Sequence, residues 1–209
     1  MCIIDLSHII DNHTPVYPGT ELADIRATNI LESDGFIEHR ISFHTHTGTH
    51  IDAPAHILPQ SKKLSDYSIK DFIGNGCVID CRDVSIISPN FIEQNIPPGP
   101  IPEFILLFTN WDKYWGKDAY FKNFPVLHPE CGIFLYQKGI KGIGIDAISI
   151  DAVENETLPA HHSLMGKEIL IVENLTGLEQ LLGKSFEFYC IPIKLNCPDG
   201  SPVRAFAKY

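Results

Sequence analysis

The sequence predicts an α/β fold, namely a single domain with a mixed sheet and long loops. Three observations support this prediction. Val, Ile and Phe cluster in short runs of strand length, while signals for helices are fewer. The 15 Pro and 15 Gly are spread widely, which favours many short elements joined by tight turns. A length of 209 residues suits one domain, so we predict that residues 1–209 form one unit.

Strands account for most of the predicted elements. Ser33, Asp34 and Gly35 are turn-forming residues between the second and third strand-length runs, so these two runs are expected to form a hairpin. In chain order the predicted strands cover residues 3–6, 25–30, 36–43, 77–81, 104–108, 143–145, 169–172 and 186–193.

Helix signals mark three segments. Ser88 followed by Pro89 is typical of an N-cap and a first helical residue. A second helix is expected to end at Gly139, a residue type common at helix C-termini. The predicted helices cover 88–94, 128–139 and 177–182, and long loops are expected over 54–72 and 110–128.

The composition argues against two kinds of partner. Lys and Arg total 16 against 26 Asp and Glu, a net charge of −10, so no basic patch for nucleic acid stands out. The apolar runs are far shorter than the ~20 residues that span a membrane.

The six cysteines form no CxxC pair and the first residues do not resemble a signal peptide. We therefore expect reduced, mostly buried thiols and a cytoplasmic protein.

Histidine usage is the feature that points to a function. Four of the ten histidines lie within residues 44–56, and an extended chain would put His44, His46, His50 and Asp52 on one face. Buried imidazoles need polar partners, and metal ligation is one strong way to provide them. The alternative is a threonine-rich strand with solvated histidines.

The spacing of His46 and His50 requires a bend between them. A straight strand would hold their backbones about 13 Å apart, too far for both rings to reach one ion at ~2 Å. A helix is disfavoured by the surrounding Thr and Pro residues. We therefore predict a bend or bulge at Gly48, which would let His46, His50 and Asp52 converge.

The same segment carries a family resemblance. His46-Thr-Gly-Thr-His50-Ile-Asp52-Ala-Pro-Ala-His56 resembles the signature of the cyclase family of metal-dependent hydrolases, which includes the bacterial kynurenine formamidases. This motif is specific for the superfamily and much less specific for one substrate. The resemblance implies a swivelling β/β/α domain and a homodimer. It continues through residues 5–7, 14–19, 144–146, 149–151, 158–162 and 171–174.

Carried over residue by residue, the resemblance implies a site for two metal ions. His46 and His50 would bind one ion, His161 would bind the second, and Asp52 and Glu173 would bridge them. Imidazole and carboxylate ligands suit Zn²⁺ or Mn²⁺, and no redox chemistry is required of them.

Some of these assignments have alternatives. The adjacent His162 could be the ligand in place of His161. Glu173 could be a charge at the exposed end of a strand, although residues 169–172 have the pattern of a buried strand. His44 fits a supporting or structural role better than metal ligation.

His56 is the predicted general acid/base. The resemblance implies this role, and an unperturbed pKa of ~6.5 suits a group that takes a proton from water and returns it to the departing amine. A bound ion would lower the pKa of the attacking water to about 7. The alternative is that His56 is a further metal ligand. No Gly-x-Ser-x-Gly elbow and no cysteine signature offers a competing nucleophile.

Two aromatic residues are candidates for substrate binding. The family's formamidases place a tryptophan against the substrate ring where this chain has Tyr17, and a tyrosine can also stack on an aryl group. Trp111 could line the pocket or could anchor its own loop. The sequence thus predicts an amidohydrolase for N-formylkynurenine or another small N-formyl or cyclic amide. The alternative is a non-catalytic, metal-stabilised or ligand-binding protein.

Overall fold

A nine-stranded mixed sheet organises the chain. The computed structural model describes residues 1–196 and 199–209. In this described part the strands are β1 Ile3–Asp5, β2 Asp24–Asn29, β3 Glu38–Ser42, β4 His50–Asp52, β5 Ile73–Asp80, β6 Ile86–Ile87, β7 Phe104–Phe108, β8 Val126–Leu127, β9 Gly142–Ile145, β10 Leu170–Glu173, β11 Phe186–Tyr189, β12 Gly200–Pro202 and β13 Phe206–Lys208. The helices are α1 Leu31–Asp34, α2 Pro89–Asn95, α3 Cys131–Lys138 and α4 Pro159–Met165.

The sheet combines a parallel centre with antiparallel sides. Its order is β1-β13-β11-β5-β7-β9-β10-β4-β12, and β5, β7, β9 and β10 run parallel to one another. Because parallel neighbours need a crossover connection, α2, α3 and α4 lie between these four strands in the chain. The strands on both sides pair antiparallel. The predicted α/β class with a mixed sheet is confirmed.

Strand β7, at the centre of the sheet, is apolar throughout because both faces of the sheet are covered there. Along β7, Ile105 and Leu107 enter one apolar cluster, and Phe104 and Leu106 enter a second cluster on the opposite face. The helices pack on the first of these faces through the buried residues Ile92, Leu135 and Leu164.

Most of the predicted strands are confirmed, with shifted ends. The strand predicted at 77–81 begins earlier, at Ile73, and the strand predicted at 186–193 ends at Tyr189. Strands β2 and β3 form the predicted hairpin as a separate two-stranded sheet, with α1 in the connection between them.

The predicted helices are partly confirmed. Helices α2 and α3 are present, but the segment 177–182 forms only a 3₁₀ helix, Leu178–Leu181. Helix α4 is absent from the sequence prediction, which leaves residues 159–165 unassigned. The two expected loops contain short 3₁₀ helices, namely Pro54–His56, Leu64–Asp66, Ile69–Phe72, Asp112–Tyr114 and Asp118–Phe121.

The thiols agree with the sequence prediction over the described residues. Five cysteines are free, namely Cys2, Cys77, Cys81, Cys131 and Cys190, and all but the first are buried. The prediction for Cys197 lies outside the described residues. Among the helices of the described residues, none has the length and apolarity needed to cross a membrane.

Candidate active site

The histidine segment bends at Gly48, as the spacing predicts. Strand β3 ends at Ser42, and β4 begins only at His50. Gly48 has a φ of +65°, and an added Cβ would lie 2.8 Å from Ile10 Cγ1. The Gly48 carbonyl accepts hydrogen bonds from His50 Nδ1 and Asn174 Nδ2, each at 2.9 Å. Because Nδ1 of His50 is the donor in this bond, its Nε2 is left to face other groups.

Strand pairing brings His50 and Asp52 against Glu173. In the antiparallel pair of β4 and β10, His50 lies opposite Glu173 and Asp52 lies opposite Ile171, so these side chains share one face of the sheet. His50 Nε2 lies 3.3 Å from Asp52 Oδ1 and 3.6 Å from Glu173 Oε2. Glu173 Oε1 also accepts a hydrogen bond from the Ile150 N–H at 2.9 Å. Both carboxylates are buried, so they need such partners.

Helix α4 carries His161 to the same place. The helix begins after Leu158, which has a φ of +45°, and Pro159 is its first residue. Its first turn is capped from a distance, because the Asp151 carboxylate accepts hydrogen bonds from the N–H groups of Ala160 and His161, each at 3.0 Å. Asp151 thus fixes the start of the helix relative to the sheet.

The ring of His161 is held between carboxylates. Its Nδ1 donates to Asp151 Oδ2 at 2.7 Å, while its Nε2 lies 3.3 Å from Glu173 Oε1 and 3.9 Å from Asp52 Oδ2. The neighbouring His162 is exposed and belongs to none of the donor groups found among the described residues. Both histidines lie on helix α4, where successive side chains point about 100° apart.

His46 joins the cluster from the turn that precedes Gly48. Its Nδ1 lies 2.7 Å from Asp52 Oδ1, and its Nε2 lies 3.1 Å from Asp199 Oδ2. Thr45 Oγ1 donates to the same Asp199 oxygen at 3.0 Å. Asp199 is missing from the sequence prediction because it reaches His46 only through the pairing of β12 with β4, for which the local sequence gives no signal.

His56 stands beside these groups, at the end of the 3₁₀ helix Pro54–His56. Its ring centroid lies 4.0 Å from that of His46 and 6.3 Å from that of His161. Burial lowers the pKa of His56. His44, in contrast, is exposed and lies outside the cluster formed by the described residues.

Neighbouring carboxylates raise the pKa of two of the histidines by more than burial lowers it. Burial alone would lower the pKa of His46, but the charge of Asp52 and the hydrogen bond with Asp199 raise it to about 10. Burial also opposes protonation of His161, but the hydrogen bond with Asp151 helps raise its pKa to about 10. In turn, despite burial, the charges of the histidines hold the pKa of Asp52 well below its usual range.

The donor atoms of these residues fit a metal centre. Three groups of donors each lie within 4.8 Å of one another: His46 with His50 and Asp52; Asp52 with His161 and Glu173; and His46 with His56 and Asp199. The first two groups share Asp52, which is the pattern expected of a bridging carboxylate. The third group is compatible with the alternative that His56 is a ligand. Imidazole nitrogens and carboxylate oxygens are suitable donors for a divalent ion.

The cluster opens into a cavity of about 400 Å³. Tyr17, the candidate for substrate stacking, lines this cavity, and its hydroxyl donates to the Val153 carbonyl at 3.2 Å. Five further residues line the cavity but are not among the predicted site residues, because their segments approach the motif only in the folded chain. They are Thr20, Ile148, Ser149, Glu156 and Leu158.

Trp111 does not belong to the described residues that line this cavity. Its indole N–H donates to the Tyr120 carbonyl at 3.1 Å, and its ring packs edge-on against Tyr114 with centroids 5.0 Å apart. The Tyr120 hydroxyl donates in turn to Asn174 Oδ1 at 2.7 Å. These contacts match the loop-anchoring alternative for Trp111.

Comparison with known sequences assigns the chain to a family. The Cyclase family model, described as "Putative cyclase", matches residues 4–152. The kynurenine formamidase of Bacillus mycoides (strain KBAB4) is 33% identical over 204 residues, which cover 97% of this chain and 95% of that relative.

Solved structures agree with this assignment. Isatin hydrolase A from Labrenzia aggregata, bound to benzyl benzoate, has a TM-score of 0.85 and 26% identity, covering 99% of this chain and 93% of that one. A "predicted metal-dependent hydrolase from Bacillus stearothermophilus" has a TM-score of 0.80 and 26% identity, covering 99% and 97%. The chain therefore belongs to the cyclase family, and it is a hydrolase related to kynurenine formamidase and isatin hydrolase.

Proposed function

We propose that this chain is a metal-dependent amidohydrolase that cleaves a small N-formyl or cyclic amide, with N-formylkynurenine as the first substrate to test. The observation that carries the proposal is the convergence of His50, Asp52, His161 and Glu173 beside a cavity of about 400 Å³. The names of the related kynurenine formamidase and isatin hydrolase support a substrate with an amide bond.

In this proposal the cluster holds two ions, either Zn²⁺ or Mn²⁺. His46 and His50 would hold one ion, His161 would hold the second, and Asp52 and Glu173 would be shared between them. When bound, such ions lower the pKa of water to about 7 and polarise a carbonyl oxygen. The donor groups that share Asp52 support this arrangement.

His56 moves the proton in this proposal. Because burial lowers its pKa, its ring is a neutral base at pH 7 and can accept a proton from the attacking water. It then donates that proton to the departing amine nitrogen, which completes cleavage of the C–N bond. Its ring lies 4.0 Å from the ring of His46, which supports a position next to the reacting groups.

Two further carboxylates orient the terminal ligands. Asp199 contacts His46 and Asp151 contacts His161, each through a ring nitrogen. Such partners fix the orientation of an imidazole and increase its basicity as a ligand. Both carboxylates act through the histidines and have no contact with the substrate in this proposal.

A substrate panel tests the proposal. The metal-loaded protein is assayed with N-formylkynurenine, isatin and a small lactone, and we expect hydrolysis of the formamide and of the cyclic amide. Treatment with a chelator should abolish that activity, and adding Zn²⁺ or Mn²⁺ back should restore it. Inactivity on the whole panel would favour the alternative of a non-catalytic metal-stabilised or ligand-binding protein, for which a closed coordination sphere would be expected.

We also propose that residues 1–209 form one swivelling β/β/α domain that assembles as a homodimer. The β2–β3 hairpin supports the dimer because Phe36, Ile37 and Ile41 are exposed on it by 53%, 63% and 57%. We expect a dimeric mass in solution at micromolar concentration, and a shift toward monomer in Ile37→Asp. Ile133→Asp, on the exposed face of α3, is the control and should leave the mass unchanged.

The cytoplasm is the proposed compartment. The free thiols among the described residues support a reducing environment, in which disulfides are rare. Fractionation of cells that express the chain with a C-terminal tag tests this assignment. Recovery of the tagged chain outside the cytoplasmic fraction would contradict it.

A further inference from the structure

We propose that Glu156 selects substrates that carry a cationic group, so that the enzyme prefers an N-acyl aryl amine with an ammonium substituent over neutral and anionic analogues. This inference rests on the proposed function, because it names the substrate class of the same site. It goes further by assigning a specificity role to a residue outside the metal cluster.

The charge of the cavity wall is the first observation. Three carboxylates line the cavity, those of Asp52, Glu173 and Glu156, and the described lining residues include no Lys or Arg. Asp52 and Glu173 are buried and contact the histidines. Glu156 is exposed and stands outside that cluster, so its negative charge is available to a molecule that enters the cavity.

The second observation is that Glu156 has no cationic partner in the described part of the chain. The ion pairs of Lys and Arg there all involve other carboxylates. A carboxylate without an internal partner at the wall of a substrate cavity can pair with a cation on the substrate without first breaking another contact.

The loop that carries Glu156 is tied to the candidate active site. The Asn155 N–H donates to the Ala152 carbonyl at 2.9 Å, and the Leu158 N–H donates to the Asn155 carbonyl at 3.2 Å. Asp151 lies at one end of this loop, and α4 with His161 follows its other end. The backbone that carries Glu156 therefore has a defined place relative to Asp151 and His161.

The remaining wall of the cavity suits an aromatic body. Tyr17, Ile148 and Leu158 line it together with Glu156. The negative charge of Glu156 is also felt at the Tyr17 hydroxyl, where burial and several carboxylates raise the pKa. A substrate ring against these residues would direct its amide toward the histidines and its ammonium toward Glu156.

The expected preference follows from electrostatics. An ion pair at an exposed site contributes about 0.2–1 kcal/mol, so removing the charge of Glu156 should lower the preference by roughly 1.4- to fivefold. The same carboxylate repels an anionic substrate. It should therefore weaken the binding of anionic analogues and strengthen the binding of cationic ones. The preference should weaken as salt is added, because the pair is accessible to solvent.

Three matched formanilides test the inference on the metal-loaded enzyme. They carry a para-aminomethyl, para-ethyl or para-carboxymethyl group, so shape is nearly constant while charge changes. We expect the ratio of kcat/KM for the aminomethyl compound to that for the ethyl compound to fall in Glu156→Gln and to invert in Glu156→Lys. The change should appear mainly in KM, and the ratio should fall with salt in the wild type but not in Glu156→Gln.

Glu154→Gln is the matched control. Glu154 lies on the same loop, and its charge also acts on the Tyr17 hydroxyl, but it does not line the cavity. The ratio should therefore keep its wild-type value in this variant. A ratio that is equal in wild type and Glu156→Gln, or that falls equally in Glu154→Gln, would overturn the role of Glu156.

A binding measurement separates failure of this inference from failure of the proposed function. Calorimetry compares the affinities of para-(aminomethyl)aniline and para-ethylaniline for wild type and Glu156→Gln. Hydrolysis of none of the formanilides would count against the proposed function, while a Glu156-dependent preference for the cationic amine would still support the recognition role. Equal affinities for both amines in the wild type would overturn it.

Discussion

Two residues with a positive φ lie at the turns that position the candidate active site. Gly48 adopts a φ of +65° at the bend, and Leu158 adopts a φ of +45° just before α4. Glycine accepts such a conformation without a steric penalty, whereas leucine is held there by its surroundings. One of the two could be predicted, because the spacing of His46 and His50 demands a bend at the glycine between them.

Gly48→Val is the first prediction. The new side chain would meet Ile10 and would have to adopt a positive φ, so the turn should open and separate His46 from His50. We expect metal affinity to fall about tenfold or more, with most of the secondary structure retained by circular dichroism. Gly35→Val is the control, because Gly35 has a φ of +77° but no atom within 4 Å of an added Cβ. Unchanged metal content in Gly48→Val would contradict the role of the bend.

His56→Ala is the second prediction. As the general acid/base, His56 should be needed for proton transfer and not for metal binding, so activity should fall by roughly 10²–10⁴-fold while metal content stays at the wild-type level. Elemental analysis and steady-state kinetics on one preparation measure both quantities. His44→Ala, which changes an exposed histidine, is the control. Parallel loss of metal and activity would make His56 a ligand instead.

At the scale of elements, the site joins β10, a strand that the sequence predicts, to helix α4, which the sequence does not predict. The buried pattern of residues 169–172 predicts β10, and Glu173 is the last residue of that strand. Helix α4 has no side-chain cap at Leu158, and its first N–H groups bond instead to Asp151, eight residues before the helix begins. A cap supplied from outside the local sequence leaves no recognisable helix start signal.

The third prediction compares the two adjacent histidines of α4. His161 faces the carboxylates while His162 is exposed, since successive helical residues point about 100° apart. His161→Ala should therefore reduce the bound metal from two ions toward one, and His162→Ala should retain two. Elemental analysis of both purified variants makes the comparison. Loss of metal in His162→Ala alone would reverse the assignment.

At the scale of the whole molecule, local pattern predicts the centre of the sheet better than its sides. Strand β7 is a continuous apolar run, which the sequence displays directly. Strands β4, β12 and β13 have only three residues each and owe their existence to pairing with distant partners. Asp199 and Glu156 are not predicted either, because each approaches the histidine motif only in the folded chain.

The fourth prediction concerns pH and the stability of the metal-free protein. In the folded chain the pKa values of His46 and His161 are about 10, against an ordinary value of 6.5. Their stabilising protonation is complete below about pH 6.5 and is lost as pH rises toward 10, so stability should fall through this window. Metal ions would displace these protons, so the loaded protein should lack this component of the pH dependence.

Thermal unfolding from pH 7 to pH 9 measures this difference. We expect Tm to fall steadily in the presence of a chelator, and to fall less when Zn²⁺ is present at every pH. His161→Ala should flatten the chelated curve, while His162→Ala should leave it unchanged. Identical slopes with and without metal would show that these histidines do not exchange protons for ions.

During synthesis on the ribosome, the residues that supply the donor atoms of the candidate metal site are added to the chain at very different times. His46, His50 and Asp52 emerge early, but β4 lies between β10 and β12, and both of these partner strands are synthesised much later. The nascent chain therefore carries the complete histidine motif long before it has a sheet to hold it. A chain halted before β10 would contain every residue of the histidine motif. It would still lack both strands that pair with β4, and so could not form the candidate metal centre.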